Sequence, residues 1–147
     1  MSRSIVDVSI AVKWTIPEVH WEQAAALLES NDERLAPDLF GVELANALLK
    51  YVRRGEITPE HAVDRLEFSL KAVRLRASED LAADALHLAH RHDLSAYDAL
   101  YVALAQRERC TLITADRRLY HRVTNAGIID ATWVEDIPLP PDSPPTA

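Results

Sequence analysis

The sequence predicts a single α/β domain built on a parallel sheet with helices on both of its faces. Three observations point there. Short runs of β-branched and aliphatic residues recur along the chain. Each is followed by a longer segment with apolar residues at helical spacing. The chain has 147 residues, 48% hydrophobic and 27% charged, which suits one core that buries roughly 68–70% of the unfolded surface. Parallel strands need such helical crossovers, and these cover the sheet on both sides.

The elements follow in order. Ser4–Val8 is short and β-branched and reads as the first strand. His20–Ser30 reads as a helix, because Trp21, Ala24, Ala25 and Leu28 fall at i, i+3, i+4 and i+7. Arg34–Ala36 reads as a second strand, and Pro37 suits the entry to the helix Asp38–Arg54, which Gly55 ends. Thr58 caps the next helix with Pro59 at its first position, and its apolar stripe is Val63, Leu66, Leu70 and Val73. Val73–Leu75 reads as a third strand. Ser78-Glu79-Asp80 opens a helix to Arg91, and Ser95 caps another to Arg109. Thr111–Thr114 is a run of β-formers, Asp116–Asn125 a helix, and Asp130–Val134 a last strand. Residues 1–137 form one domain; 138–147 hold five of the eight prolines and read as a disordered tail.

Composition narrows the function. Three glycines exclude a collagen-like chain, and a lone cysteine, Cys110, excludes an internal disulfide and fits a reducing compartment. There is no stretch of ~20 apolar residues and no signal-peptide pattern at the start, so the expectation is a cytoplasmic protein without a membrane. The net charge of −7 argues against non-specific coating of nucleic acid, which needs a basic footprint. An enzyme that cuts nucleic acid is compatible with it, since such a site needs acids to hold metal.

Four acids stand in apolar or small-residue surroundings: Asp7, Glu43, Asp98 and Asp116. Acids are rarely placed so unless paired or bound to metal. Each has a structural alternative. Asp7 could form an Asx turn, Asp98 a capping box with Ser95, Asp116 an N-cap, and Glu43 a surface acid on its helix. Topology argues for more. Asp7 and Asp116 follow parallel strands, so both lie at the carboxyl edge, where sites in open α/β sheets form. The helix with Asp98 runs back antiparallel to the strand after it, which returns Asp98 to the same edge. Glu43 lies early in a helix that starts there. Four like charges at one edge raise one another's pKa. A divalent cation resolves the conflict, and ligands that are all oxygen favour Mg²⁺ or Mn²⁺. Such a centre suits phosphoryl transfer.

The segments Ile5–Trp14, Pro37–Leu48, Leu94–Ala105 and Leu112–Leu119 resemble PIN-domain ribonucleases, and among them the VapC toxins of bacterial toxin–antitoxin pairs. The likeness spans about residues 4–135, with all four segments in order. It implies a PIN-like three-layer α/β/α sandwich with a mainly parallel sheet. It implies a Mg²⁺-dependent endoribonuclease that hydrolyses RNA by metal-activated water. Asp7, Glu43, Asp98 and Asp116 match the family's acidic quartet, and Ser9 and Thr114 its supporting hydroxyls. Some members carry a further acid shortly after the fourth; here Arg117 and Arg118 hold that place. The resemblance also implies a homodimer and a cognate VapB-type antitoxin that blocks the site. On this basis Asp7 and Asp98 are expected to hold metal, Glu43 to orient water or bind through it, and Asp116 to complete the pocket. In-line attack would leave 3′-hydroxyl and 5′-phosphate ends.

Lys13, Arg117, Arg118 and Arg122 are candidate contacts for RNA phosphates. His87, His90 and His92 suggest a metal cluster, but His87 shares its helix face with Asp84, His90 and Arg91, and this reads as a solvated face, not a Zn²⁺ site. Cys110 reads as packing. Trp21 falls on a core or interface stripe, while Trp14 and Trp133 could pack or stack bases. A haloacid-dehalogenase-like phosphatase needs an acid two residues after the first, where Ser9 stands; a response-regulator receiver needs paired early acids. The remaining alternative is a non-catalytic RNA- or protein-binding module.

Overall fold

The computed structural model describes residues 2–141. The Pro-rich tail falls at its limit: residues 138–141 form no helix or strand, and 142–147, where disorder was also expected, lie outside the described residues. In chain order the elements are β1 (Arg3–Val6), α1 (Val8–Thr15), α2 (Trp21–Glu29), β2 (Glu33–Pro37), α3 (Phe40–Arg53), α4 (Pro59–Lys71) and β3 (Arg74–Arg76). They continue with α5 (Ala82–His92), α6 (Ala96–Glu108), β4 (Thr111–Thr114), α7 (Arg117–Ala126) and β5 (Ala131–Trp133).

The five strands lie in the order β3-β2-β1-β4-β5, and every pairing is parallel, so the expected mainly parallel sheet is wholly so among the described strands. Ile5, Val6, Leu35 and Leu112 are fully buried. That is why these strands read as continuous apolar runs and not as alternating ones. The chain steps outward from β1 to β2 and β3, then returns across the sheet to β4 on the other side of β1. Right-handed crossovers then place α1–α4 on one face and α5–α7 on the other. α6 packs across β1, β2 and β4, with Ala99, Val102, Ala103 and Leu104 buried. The carboxyl ends of β1 and β4 flank the switch point of the topology, the usual place for a site.

Several local expectations change. The segment Val8–Thr15 forms α1, so Val8 belongs to a helix and not to the strand expected to end there. Its β-branched Val8, Ile10 and Val12 favour a strand locally, but Ile10, Ala11 and Val12 are buried, and packing overrides propensity. Pro37 ends β2 instead of opening α3. β3 begins at Arg74, one residue late, after the buried Val73. Val63 is 51% exposed, so α4 meets the core through Ala62, Leu66 and Leu70 instead. The Ser78 hydroxyl bonds Asp38 rather than capping a helix, and Glu79–Leu81 forms a 3₁₀ turn ahead of α5. Trp21 is 43% exposed and so lies outside the core. Other signals hold. Thr58 Oγ1 accepts from the His61 amide, and Gly55, after α3, has φ 74°.

Candidate active site

Asp7 lies in the step from β1 into α1 and is 6% exposed. Its carboxylate accepts the hydroxyls of Ser9, at 2.5 Å, and of Thr114, at 2.6 Å. Those hydroxyls are themselves oriented. Ser9 Oγ accepts the Ala115 amide at 2.8 Å, and Thr114 Oγ1 accepts the Asp116 amide at 3.0 Å. Each hydroxyl's proton is thereby directed at Asp7. Burial pushes Asp7 up to about 6; the two hydroxyls oppose this and Asp116 adds to it.

Asp116 follows β4 and caps α7, its Oδ1 accepting the Leu119 amide at 3.1 Å. The capping role and a place in the site coexist, because one oxygen serves the helix and Oδ2 remains. Asp98 lies in the first turn of α6, whose N-cap Ser95 accepts the Asp98 amide at 3.0 Å. Burial first, then the Asp116 charge, raise the Asp98 pKa, while Ser95 and Arg118 lower it. Glu43, in the first turn of α3, accepts the Tyr101 hydroxyl at 2.8 Å. Burial raises Glu43, the Tyr101 hydrogen bond opposes this, and the Asp98 charge adds to it.

The four acids therefore gather from four segments at one edge of the sheet; the Asp116 charge acts on Asp7 and Asp98, and the Asp98 charge on Glu43. Among the described residues no group of three or more His, Cys, Asp or Glu side chains stands close enough together to hold a metal ion. Beside the acids lies a cleft of about 290 Å³ lined by Ser95, Asp98, Asp116, Arg118 and Arg122. The donors are carboxylates; Asp7, Glu43 and Asp98 are raised first by burial and further by a neighbouring acid, and a hard cation would relieve that charge.

The candidate RNA contacts separate. Arg118 faces the cleft. Arg122 lines it too, but its Nη1 is bound to the Asp93 carbonyl at 2.6 Å and carboxylate at 2.9 Å. Arg117 lies over the Trp133 ring, 5.3 Å from its centroid. Lys13 is 8% exposed, with Nζ on the Val19 carbonyl at 2.8 Å. This bond anchors the ammonium to the turn at Val19. His87 and His90 are exposed, as expected of a solvated face. Trp14 is half-buried with Nε1 on the Ala24 carbonyl, and Cys110 packs partly buried against the core.

Tyr101 is the site residue that sequence reasoning did not assign. It stands three residues after Asp98 on α6, on the same helix side, and that spacing was the available signal. It is 2% exposed, and burial with the Glu43 charge pushes its phenol well above the ordinary range, so it remains a donor. For Tyr101→Phe we expect a 10- to 100-fold loss of kcat, the range for losing an outer hydrogen-bond partner. The acidic limb of the pH–rate profile should move to higher pH, because Glu43 loses the bond that lowers its pKa. An unmoved limb would reduce Tyr101 to packing.

Residues 4–124 match the PIN domain family. Ribonuclease VapC3 of Pyrobaculum aerophilum is 36% identical over 118 residues, which cover 78% of this chain and 90% of that protein. A crystal structure of a P. aerophilum protein superposes with a TM-score of 0.69 at 25% identity, covering 91% of this chain and 92% of its own. The structure of VapBC2 from Rickettsia felis, bound to a DNA fragment from their promoter, contains a chain that superposes with a TM-score of 0.63 at 14% identity. That match covers 88% of this chain and 97% of the other.

Proposed function

Since the chain belongs to the PIN-domain family, we propose that it is a VapC-type ribonuclease toxin, an endoribonuclease that hydrolyses RNA phosphodiester bonds at the acidic cluster. The observation that carries this is the convergence of Asp7, Glu43, Asp98 and Asp116 at the carboxyl ends of β1 and β4, beside an open cleft. The relative's name, a ribonuclease, supports it. A cognate VapB-type antitoxin, a homodimer and action in the cytoplasm belong to the same proposal. Among the described residues no helix is long and apolar enough to cross a membrane.

Asp7 and Asp98 would hold Mg²⁺ or Mn²⁺, with Asp116 completing the negative pocket. When bound, the cation would neutralise this charge, polarise the phosphate and make water more acidic. The chain's own groups do the rest. Ser9 and Thr114 fix the Asp7 carboxylate in orientation. Glu43 has Oε1 engaged by Tyr101, which leaves Oε2 to accept a proton from an attacking water. Arg118, at the cleft wall, supplies a guanidinium for a substrate phosphate. In-line attack then gives a 5′-phosphate and a 3′-hydroxyl.

The test is incubation of purified protein with total cellular RNA, with Mg²⁺ and with EDTA, and mapping of the fragment ends. Discrete cuts in Mg²⁺, absent in EDTA and ending in 5′-phosphate, are expected. Ends carrying 2′,3′-cyclic phosphate would exclude water as the nucleophile. A folded, antitoxin-free protein that leaves every RNA intact would favour a binding module.

A further inference from the structure

A second opening is lined by Ser9, which bonds Asp7, and by Ala115, which precedes Asp116. A groove of about 340 Å³ lies between α1 and α3. It begins at Ser9 and Ala115, next to Asp7 and Asp116, and ends at Lys50 and Arg54. On α3 and its C-cap, Glu43, Ala47, Lys50 and Arg54 follow one another at i, i+4, i+7 and i+11, a single helix face. Lys50 therefore stands about 10 Å and Arg54 about 16 Å beyond Glu43 along the axis, at ~1.5 Å per residue.

The charges along this face are arranged for an anionic strand. Glu18, the acid in the groove, is already engaged by the Tyr51 hydroxyl and lies 3.6 Å from Lys13. Lys50 is exposed. Arg54 lies flat on Tyr51, 4.6 Å from the ring centroid, with an exposed neighbour, Glu56, at 3.6 Å, a contact that holds it weakly. In a chain of net charge −7, Lys50 and Arg54 place two cations on the helix face that leads away from Glu43.

We propose that this groove is the path of single-stranded RNA flanking the scissile phosphate, with Lys50 and Arg54 binding its backbone phosphates. The inference rests on the ribonuclease reading above. The acidic cluster repels phosphates that are not being cut, so a row of bases a few nucleotides away must hold the strand. Contacts of this kind position a strand without reading its sequence. They lie away from the reacting atoms, so they act on binding and not on the chemical step.

The test compares the parent with the double variant Lys50→Gln, Arg54→Gln, both as full chains. The probe is a fluorescein-labelled oligouridylate, its binding followed by anisotropy in EDTA between about 50 and 200 mM salt. We expect an affinity loss of roughly 10-fold. The slope of log K against log salt should flatten by about 1.4, or ~0.7 for each of two phosphates on a single strand. KM for RNA cleavage should rise with kcat unchanged, and circular dichroism should be identical. Equal affinity and slope in a parent that binds and cleaves RNA would overturn the groove assignment alone and turn attention to an acidic peptide as its occupant. A parent that neither binds nor cleaves RNA overturns the ribonuclease reading as well.

Discussion

Asp7→Asn is expected to cut cleavage by at least about 100-fold, more than the loss of an outer-sphere partner costs, and still to fold. It removes one charge from the centre of the cluster and keeps the shape that Ser9 and Thr114 enclose. The same change should weaken a pH dependence of stability. Asp7 rises from 3.8 to about 6 in the folded protein. The folded state therefore binds its proton more tightly than the unfolded state. The contribution of this group to stability is complete below about pH 4 and is lost as the pH climbs to about 6. At 1.36 kcal/mol per unit, that loss is on the order of 3 kcal/mol. Urea melts in EDTA from pH 4 to 7.5 should show the parent weakening across this window and Asp7→Asn weakening less, because only Glu43 and Asp98 then remain raised. Parallel curves would mean that Asp7 is not the strained group, and wild-type cleavage by the variant would remove it from the mechanism.

Divalent metal should have the opposite effect on the parent. A cation that binds only the folded state stabilises by about 2.7 kcal/mol at a concentration 100 times its Kd. For a domain of this size that is a rise in Tm of roughly 5–10 °C. Asp116→Asn is the informative comparison. Asn is as good an N-cap as Asp, so the bond from the Leu119 amide survives and only the charge is lost. Its metal-free Tm should stay close to the parent's while the Mg²⁺ shift shrinks. Asp98→Asn should shrink it too. An equal shift in both variants would place the bound ion elsewhere, and no shift in the parent at any millimolar Mg²⁺ would detach the cluster from metal.

Much of the site was legible because each acid announces itself against its neighbours. Asp7 ends an aliphatic strand, and Asp98 and Glu43 interrupt apolar helices. Their convergence could be argued from strand direction alone, since parallel strands deliver their carboxyl ends to one edge. Tyr101 was hidden for a physical reason. A tyrosine in an apolar helix reads as core, and its burial is indeed almost complete; only the approach of α3 gives its hydroxyl a carboxylate to bond. Lys13 was misleading in the opposite way. Its closeness in sequence to Asp7 suggested a substrate contact, yet the turn at Val19 takes its ammonium.

The sequence by itself determined the alternation of strand and helix, the parallel sheet and the four acids, because hydrophobic periodicity and residue chemistry are local properties. Tertiary structure decided what depends on groups distant along the chain. It made Val8–Thr15 a helix, since burial of Ile10, Ala11 and Val12 outweighs β-branched propensity. It turned the Thr114 hydroxyl onto Asp7, more than a hundred positions away in sequence. It sorted the cations too, leaving Arg118 at the cleft, fastening Arg122 to Asp93, and lining Lys50 and Arg54 along the groove from Glu43. A charge's role depends on which partner reaches it first, and only the packed chain fixes those distances.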